Sequence, residues 1–331
     1  MLFIIPTITI SCIINRNIVL PNICNMIKKT LYFGNPAYLK CRDEQLVINL
    51  PSANGMDDLV GNTIPIEDIG IVILDHQQIT ISQHLITKLL ENNIAFIHCN
   101  QTHHPVGMML NLSSHTLQSA RFKVQIEASL PLKKQLWQQT IRTKILNQAA
   151  VLQQQNIEIQ NMLHWADDVK SGDIENHEAR AAAYYWKNIF QSLPDFKRGR
   201  EEDPPNNLLN YVYAILRATV ARSLVGSGLL PTLGIHHRNQ YNAYCLADDI
   251  MEPFRPYADL IVLDILKTEK NIEELTKDIK TKLLQIPAID ILIEGKRSPL
   301  MVGIQRTTAS LVDCFEGNSR KILFPEMDIK K

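Results

Sequence analysis

Gly234-Ile235-His236-His237-Arg238-Asn239-Gln240-Tyr241-Asn242-Ala243-Tyr244-Cys245-Leu246-Ala247-Asp248-Asp249-Ile250-Met251-Glu252-Pro253-Phe254-Arg255-Pro256 is the stretch from which the rest of the chain is read. Asp249 and Glu252 stand three apart, so on a helix they share a face, and a histidine just before that helix can fold back over it. Carboxylate oxygens with one imidazole suit magnesium or manganese better than zinc, which more often takes several His or Cys ligands. The residue types alone also allow a plainer meaning. Acids at this spacing near a helix end are commonly just solvated, and adjacent histidines commonly punctuate a loop.

Around this stretch, 331 residues of which 45% are hydrophobic suffice for a substantial core and favour two domains. Lys plus Arg and Asp plus Glu balance at 34 each, so no global field draws nucleic acid and any attraction must be local. Residues 121–150 supply one such patch, with Arg121, Lys123, Lys133, Lys134, Arg142 and Lys144 against Glu127 alone, although a solvated helix face is the commoner meaning of such a run. Cys12, Cys24, Cys41, Cys99, Cys245 and Cys314 form no CxxC pair, the pattern of a reduced, cytoplasmic protein without a zinc knuckle.

The opening 25 residues carry a single charge, Arg16, and Pro6, Asn15, Asn17 and Pro21 interrupt their apolar run before it could span a bilayer. Without a basic region ahead of that run or a small-residue cleavage site, they do not read as a secretory signal. Met26-Ile27-Lys28-Lys29-Thr30 reads as a genuine beginning, so residues 1–25 are expected to be an upstream extension without a part in function.

From Met26 to His104 the residues favour strands: Thr30–Phe33, Gln45–Leu50, Ile69–Leu74 and Ile94–Cys99 are short apolar or alternating runs bounded by Gly, Pro, Asn and Asp. Between the last two, Leu85, Ile86, Leu89 and Leu90 recur at helical spacing. A strand, helix, strand order also suits a small parallel sheet, so the pattern leaves the topology open. His103-His104-Pro105-Val106-Gly107 reads as a linker, dividing a domain of residues 26–104 from one of residues 105–331. Beyond it helices dominate. Ser129 or Leu130 ahead of Pro131 opens one that runs to about Gln155, and Asn176 is the expected N-cap of another reaching Phe190. A third follows Pro204-Pro205 from Asn206 to about Leu224, residues 259–285 supply one or two more, and a mixed tail is expected from Pro299.

The run from His237 to Pro256 resembles the signature of the CRISPR-associated integrases of the Cas1 family, in which a histidine is followed by an acid twelve residues on, another fifteen on, and then Pro-Phe-Arg-Pro. The phase selects His237 over His236. Asn176-His177-Glu178-Ala179-Arg180-Ala181-Ala182-Ala183-Tyr184-Tyr185-Trp186 is similar to the family's earlier helix, whose glutamate is its third ligand, which nominates Glu178. Phe196-Lys197-Arg198-Gly199-Arg200, Asp203 to Tyr211, Arg121, Lys144-Ile145-Leu146-Asn147-Gln148 and Arg306 to Leu311 fit as well, and the likeness spans about Met26 to Glu326. The His-His-Arg-Asn wording and the overall length most resemble the version found in type II systems.

This resemblance implies an α+β fold: a small β-rich N-terminal domain, a β-sandwich with one helix, followed by a mostly α-helical catalytic domain. It also implies homodimers formed through the N-terminal domain, a small partner, Cas two, and double-stranded DNA as substrate. The implied activity is spacer integration, in which the 3′-hydroxyl of a short duplex attacks a phosphodiester of the repeat array. Little covalent work then falls to the protein, and positioning and charge stabilisation carry the catalysis. A magnesium or manganese ion would be held by Glu178, His237 and Glu252, with Asp249 completing or orienting the set. Arg198, Arg200, Arg238 and Arg255 are the arginines nominated for DNA phosphates, and each suits a structural ion pair equally well. Two other readings stay open at this level: a stand-alone metal-dependent nuclease for branched DNA, which would use the same ligands, and a non-enzymatic DNA-binding scaffold whose acids are structural.

Overall fold

Alternation marks the strands of the first third of the chain. In the computed structural model, Lys29–Phe33 (β2), Ala37–Arg42 (β3) and Gln45–Asn49 (β4) are successive strands, and along β3 every second residue from Ala37 to Leu39 is buried while Tyr38 and Lys40 are exposed. The structure describes residues 2–4, 28–52, 55–56, 63–193, 195–199 and 202–329. It divides into two compact units, Met1–Met109 and Leu110–Lys331.

In the first unit a short strand, Leu2–Ile4 (β1), precedes these three, and Pro51–Ser52 (β5), Gly55–Met56 (β6), Thr63–Pro65 (β7), Ile69–Leu74 (β8) and Ile79–Ile81 (β9) follow. Then come helix Gln83–Glu91 (α1) and strands Ala95–Cys99 (β10) and Pro105–Met109 (β11). One sheet runs β1-β2-β8-β10-β11, the other β7-β4-β3-β9, and β5 and β6 pair separately. Strands β2, β8 and β10 are mutually parallel, and β8 is buried at every residue, which is why its sequence is an unbroken apolar run instead of an alternating one. Leu31, Val72 and Phe96 of the first sheet, Leu39 and Ile48 of the second, and Leu85 and Leu89 of α1 share one core. The unit is therefore two sheets and a helix around one apolar layer, and the parallel arrangement left open by the sequence is present inside one of those sheets.

The segment expected as a linker is partly a strand. Pro105–Met109 pairs antiparallel with β10, and the Asn100 side-chain oxygen accepts from Thr102 N at 3.0 Å and His104 N at 2.9 Å to close the turn between them. Pro105 is tolerated because it begins an edge strand, where a missing N–H costs no ladder bond. The division between units accordingly falls after Met109 instead of at His104. Of the expected extension 1–25, residues 1 and 5–25 lie outside the described residues, and β1 pairs antiparallel with β2.

The second unit is helical: Gln118–Glu127 (α2), Leu130–Gln154 (α3), Gln160–Asp168 (α4), His177–Asn188 (α5), Asn206–Gly226 (α6), Cys245–Met251 (α7), Arg255–Thr268 (α8), Lys277–Leu283 (α9) and Leu300–Glu316 (α10), with a hairpin of Asp290–Ile293 (β12) and Lys296–Pro299 (β13) before the last helix. Ser129 caps α3 as expected, its hydroxyl accepting from Leu132 N at 3.4 Å. At α5 the expectation needs correcting. Asn176 is left-handed at φ 56° and makes no cap bond, and Asp173 caps instead, its two carboxylate oxygens accepting from His177 N at 2.9 Å and Glu178 N at 3.0 Å. The tail expected after Pro299 is also mostly a helix, α10, which stops at Gly317 in the left-handed conformation, φ 82°. Helix α6 is buried on nearly all sides, and α7, α8 and α10 pack around it. No helix among the described residues is long and apolar enough to cross a membrane.

Asn147 of α3 ties three distant segments. Its Nδ2 donates to Pro253 O at 2.8 Å and Pro325 O at 3.0 Å, and its Oδ1 accepts from Met327 N at 3.0 Å. Asn147→Ala leaves two buried backbone carbonyls and one part-buried N–H unpaired and is expected to lower stability by about 3 kcal/mol in urea unfolding. A loss below about 1 kcal/mol would mean that water replaces these bonds.

Candidate active site

Asp249 lies on α7, fully buried. A carboxylate there must be neutralised or saturated with donors, and the loop ahead of α7 does so: Oδ2 accepts from Ile235 N at 2.7 Å and His236 N at 2.9 Å, and Oδ1 from His237 N at 3.2 Å and His237 Nδ1 at 2.5 Å. The loop reaches the carboxylate only because residue 234 is glycine, since a Cβ there would meet Asp249 Oδ2 at 2.7 Å and His237 O at 2.5 Å. Both Asp249 oxygens are thus already used by the loop.

A carboxylate only accepts, so the shared proton sits on His237 Nδ1 and leaves Nε2 bare when the imidazole is neutral. The hydrogen bond to Asp249 holds the His237 pKa above its ordinary value; partial burial opposes this, and the nearby Glu252 and Glu178 carboxylates add to it. Trp137 of α3 separates the two histidines by role. His236 stacks flat on its ring at 4.0 Å between centroids, and desolvation lowers its pKa, whereas His237 stands edge-on to it at 5.7 Å.

The two glutamates meet on one cation. Glu178 sits in the first turn of α5, and Glu252 opens the single 3-10 turn, Glu252–Phe254, that links α7 to α8. Lys144 of α3 reaches between them, its Nζ 2.7 Å from Glu178 Oε1 and 2.7 Å from Glu252 Oε2. Arg255 Nε stands 3.0 Å from Glu252 Oε1. Burial would raise the Glu252 carboxyl, but the Arg255 and Lys144 charges outweigh it and hold its pKa below the usual range. Burial likewise works against the Lys144 ammonium, and Glu252 and Glu178 together keep its pKa above that of a free lysine. Lys144 donates a hydrogen bond to Glu178 Oε1 and makes an equally short contact with the buried Glu252 Oε2.

Of the expected ligands, the two glutamates are therefore gathered on an ammonium and His237 is held by Asp249, and the three are not drawn to metal-ligand spacing. Among the described residues, the group whose ligand atoms all lie within 4.8 Å of one another is Asp168, Glu175 and His177, not Glu178, His237 and Glu252. Of the four arginines nominated for DNA, Arg200 lies outside the described residues. Arg198 is committed inside the unit, donating to Gly199 O at 2.7 Å and to Asn206 Oδ1 and Asn210 Oδ1 at 2.9 Å, with its guanidinium over the Tyr213 ring at 5.4 Å. Arg255 is spent on Glu252 and on the Tyr213 ring, 4.7 Å away. Arg238 is exposed next to His237. Sequence reasoning placed Lys144 in a basic patch; the signal for its inward role was its position between Ile141, Ile145 and Gln148 on the buried face of α3.

The chain matches the family model described as CRISPR associated protein Cas1 over residues 31–286. It is 34% identical over 305 residues to the CRISPR-associated endonuclease Cas1 of Neisseria meningitidis serogroup C, covering 91% of this chain and 97% of that one. It is 30% identical over 202 residues to a CRISPR-associated endonuclease Cas1 of Saccharolobus solfataricus, covering 57% of this chain and 62% of that one. Among solved structures, a casposase bound to its integration product superposes with a TM-score of 0.75 at 21% identity, covering 92% of this chain and 96% of that one. A Cas6-RT-Cas1–Cas2 complex does so with a TM-score of 0.67 at 18% identity, covering 91% of this chain and 36% of that one.

Because the Asp249 bond raises the His237 pKa, the pair's contribution to stability is fully present below the pKa of an unfolded histidine and fades as pH rises through the folded value. In Asp249→Asn the His237 pKa, followed by imidazole NMR shifts, is expected to fall toward or below the ordinary histidine value. An unchanged titration would show that Asp249 does not set it.

Proposed function

The chain belongs to the CRISPR-associated Cas1 family, and on that premise we propose that it is a metal-dependent DNA integrase of CRISPR adaptation that joins the 3′-hydroxyls of a short duplex to phosphodiesters of a repeat array. The observation that carries the metal reading is the meeting of Glu178 and Glu252 on one cation, Lys144 Nζ, beside a histidine whose Nε2 is bare. The donor set fits a hard divalent ion. Two carboxylates and one imidazole offer the oxygen-rich set that magnesium or manganese prefers, and both carboxylates already meet a cation at this point.

Glu178, His237 and Glu252 would hold the ion, which supplies Lewis-acid activation of the attacking hydroxyl and neutralises charge developing on the phosphate. The chain's own residues do the positioning. Asp249 fixes the His237 tautomer and ring, as an outer carboxylate does for a metal-binding histidine. Arg255 fixes Glu252 through Oε1 and is itself stacked on Tyr213, whose hydroxyl donates to the buried Asp259 at 2.5 Å. Since a ligating imidazole must be neutral and the His237 pKa is raised, loading releases a proton and strengthens as pH rises through that pKa. Arg238, exposed beside His237, is the nominated arginine best placed for a DNA phosphate.

In the same proposal the β-rich unit, which ends at Met109, is the dimerisation domain and the helical unit from Leu110 the catalytic one, and the protein works in the cytoplasm as homodimers with a Cas2-type partner. A solved structure of similar fold in a Cas1–Cas2 complex supports the choice of partner. Joining of labelled 3′-hydroxyl duplex to a repeat-bearing plasmid, with the partner and magnesium or manganese, tests the reading. Glu178→Gln, His237→Ala and Glu252→Gln are each expected to lose joining by at least about 100-fold while DNA binding is largely kept. Joining unaffected by all three would leave a DNA-binding scaffold, and cleavage without joining would favour a stand-alone nuclease.

A further inference from the structure

A buried carboxylate, Glu252, and a part-buried one, Glu178, held on one centre repel each other, and a fold that contains them needs a permanent answer to that repulsion. Here the answer is built in: Lys144 is 8% exposed, and its Nζ stands 2.7 Å from an oxygen of each glutamate. We propose that Lys144 is a positioning residue, the resident cation of this site, which holds Glu178 and Glu252 together in the metal-free protein and competes with a divalent ion for them. The inference rests on reading the site as a metal centre.

Three features argue for competition over simple structural pairing. The ammonium is shared, its Nζ standing 2.7 Å from one oxygen of each glutamate, so a single positive charge answers two carboxylates. A divalent ion carries twice that charge. The surroundings are pinned, since Asn147 ties α3 to Pro253, next to Glu252, and Asp173 caps the turn that carries Glu178. The flexible four-carbon stem of Lys144 is therefore the part best able to withdraw. Lastly, Arg255 already neutralises the other Glu252 oxygen, so ammonium and divalent ion together would overload the site with positive charge.

The test is manganese binding to the full-length protein without DNA, by titration calorimetry or by the spin-resonance signal of free Mn2+. Lys144→Met is expected to bind Mn2+ at least about tenfold more tightly than the wild type, and Lys144→Arg to stay within about threefold of it. Metal-free Lys144→Met should melt at a lower temperature and recover on adding Mn2+. A measurement on the wild type stands apart from any folding defect: labelling of Lys144 by an amine-reactive reagent, read by mass spectrometry, should rise on saturation with Mn2+. Equal or weaker binding by Lys144→Met, or labelling indifferent to Mn2+, overturns the resident cation. If Glu178→Gln and Glu252→Gln abolish Mn2+ binding in the same series, the metal centre survives that failure. Absence of saturable binding by every form overturns both.

Discussion

A charge inside a protein must be paired, and the helical unit is arranged around that requirement. Lys144 is 8% exposed, Glu252 4% and Asp249 0%, and none of these could be kept ionised in such surroundings alone. Each is answered by a neighbour from a different part of the chain: Lys144 from α3 by Glu178 of α5 and by Glu252 after α7, and Asp249 by the backbone of residues 235–237. Pairing across such separations forces α3, α5, α7 and the loop before α7 to converge, so electrostatics and packing specify the same arrangement.

Behind this first ring of charge stands another. Asp259 of α8 accepts from the Tyr185 hydroxyl at 2.8 Å and the Tyr213 hydroxyl at 2.5 Å, and burial raises its pKa to about 6 in spite of those bonds. The Tyr213 ring lies under the guanidiniums of both Arg255 and Arg198. A change at Asp259 would thus reach Glu252 through Tyr213 and Arg255, without any contact to DNA or metal. The first unit works by a different principle. Its two sheets and α1 are held by one apolar core, and its most buried strand, β8, carries no charged side chain.

Much of this was legible in the residues. The period-two runs and the helical spacing of Leu85 and Leu89 located the β-rich unit and its helix, Ser129 located the start of α3, and the His237, Asp249, Glu252 phase singled out the histidine that bonds to Asp249. The errors have local causes. Asn176 resembles an N-cap in sequence, but Asp173 reaches the free N–H groups of α5 from three residues earlier in a turned loop. Pro105 resembles linker punctuation, yet on an edge strand it costs nothing. Arg198 and Arg255, nominated for DNA phosphates, make contacts within the unit, since a guanidinium is equally suited to a phosphate, a carboxylate and an aromatic face.

The sequence by itself determined most of the elements, because periodicity and capping are properties of neighbouring residues, and it carried the family signature whose resemblance nominated the three ligands. Only the tertiary structure decided that both Asp249 oxygens are engaged by the loop of residues 235–237, and that Lys144 stands between Glu178 and Glu252. Those outcomes depend on how burial, hydrogen-bond direction and opposite charge combine at a point where segments more than 100 residues apart in the chain meet, and no local pattern encodes that sum.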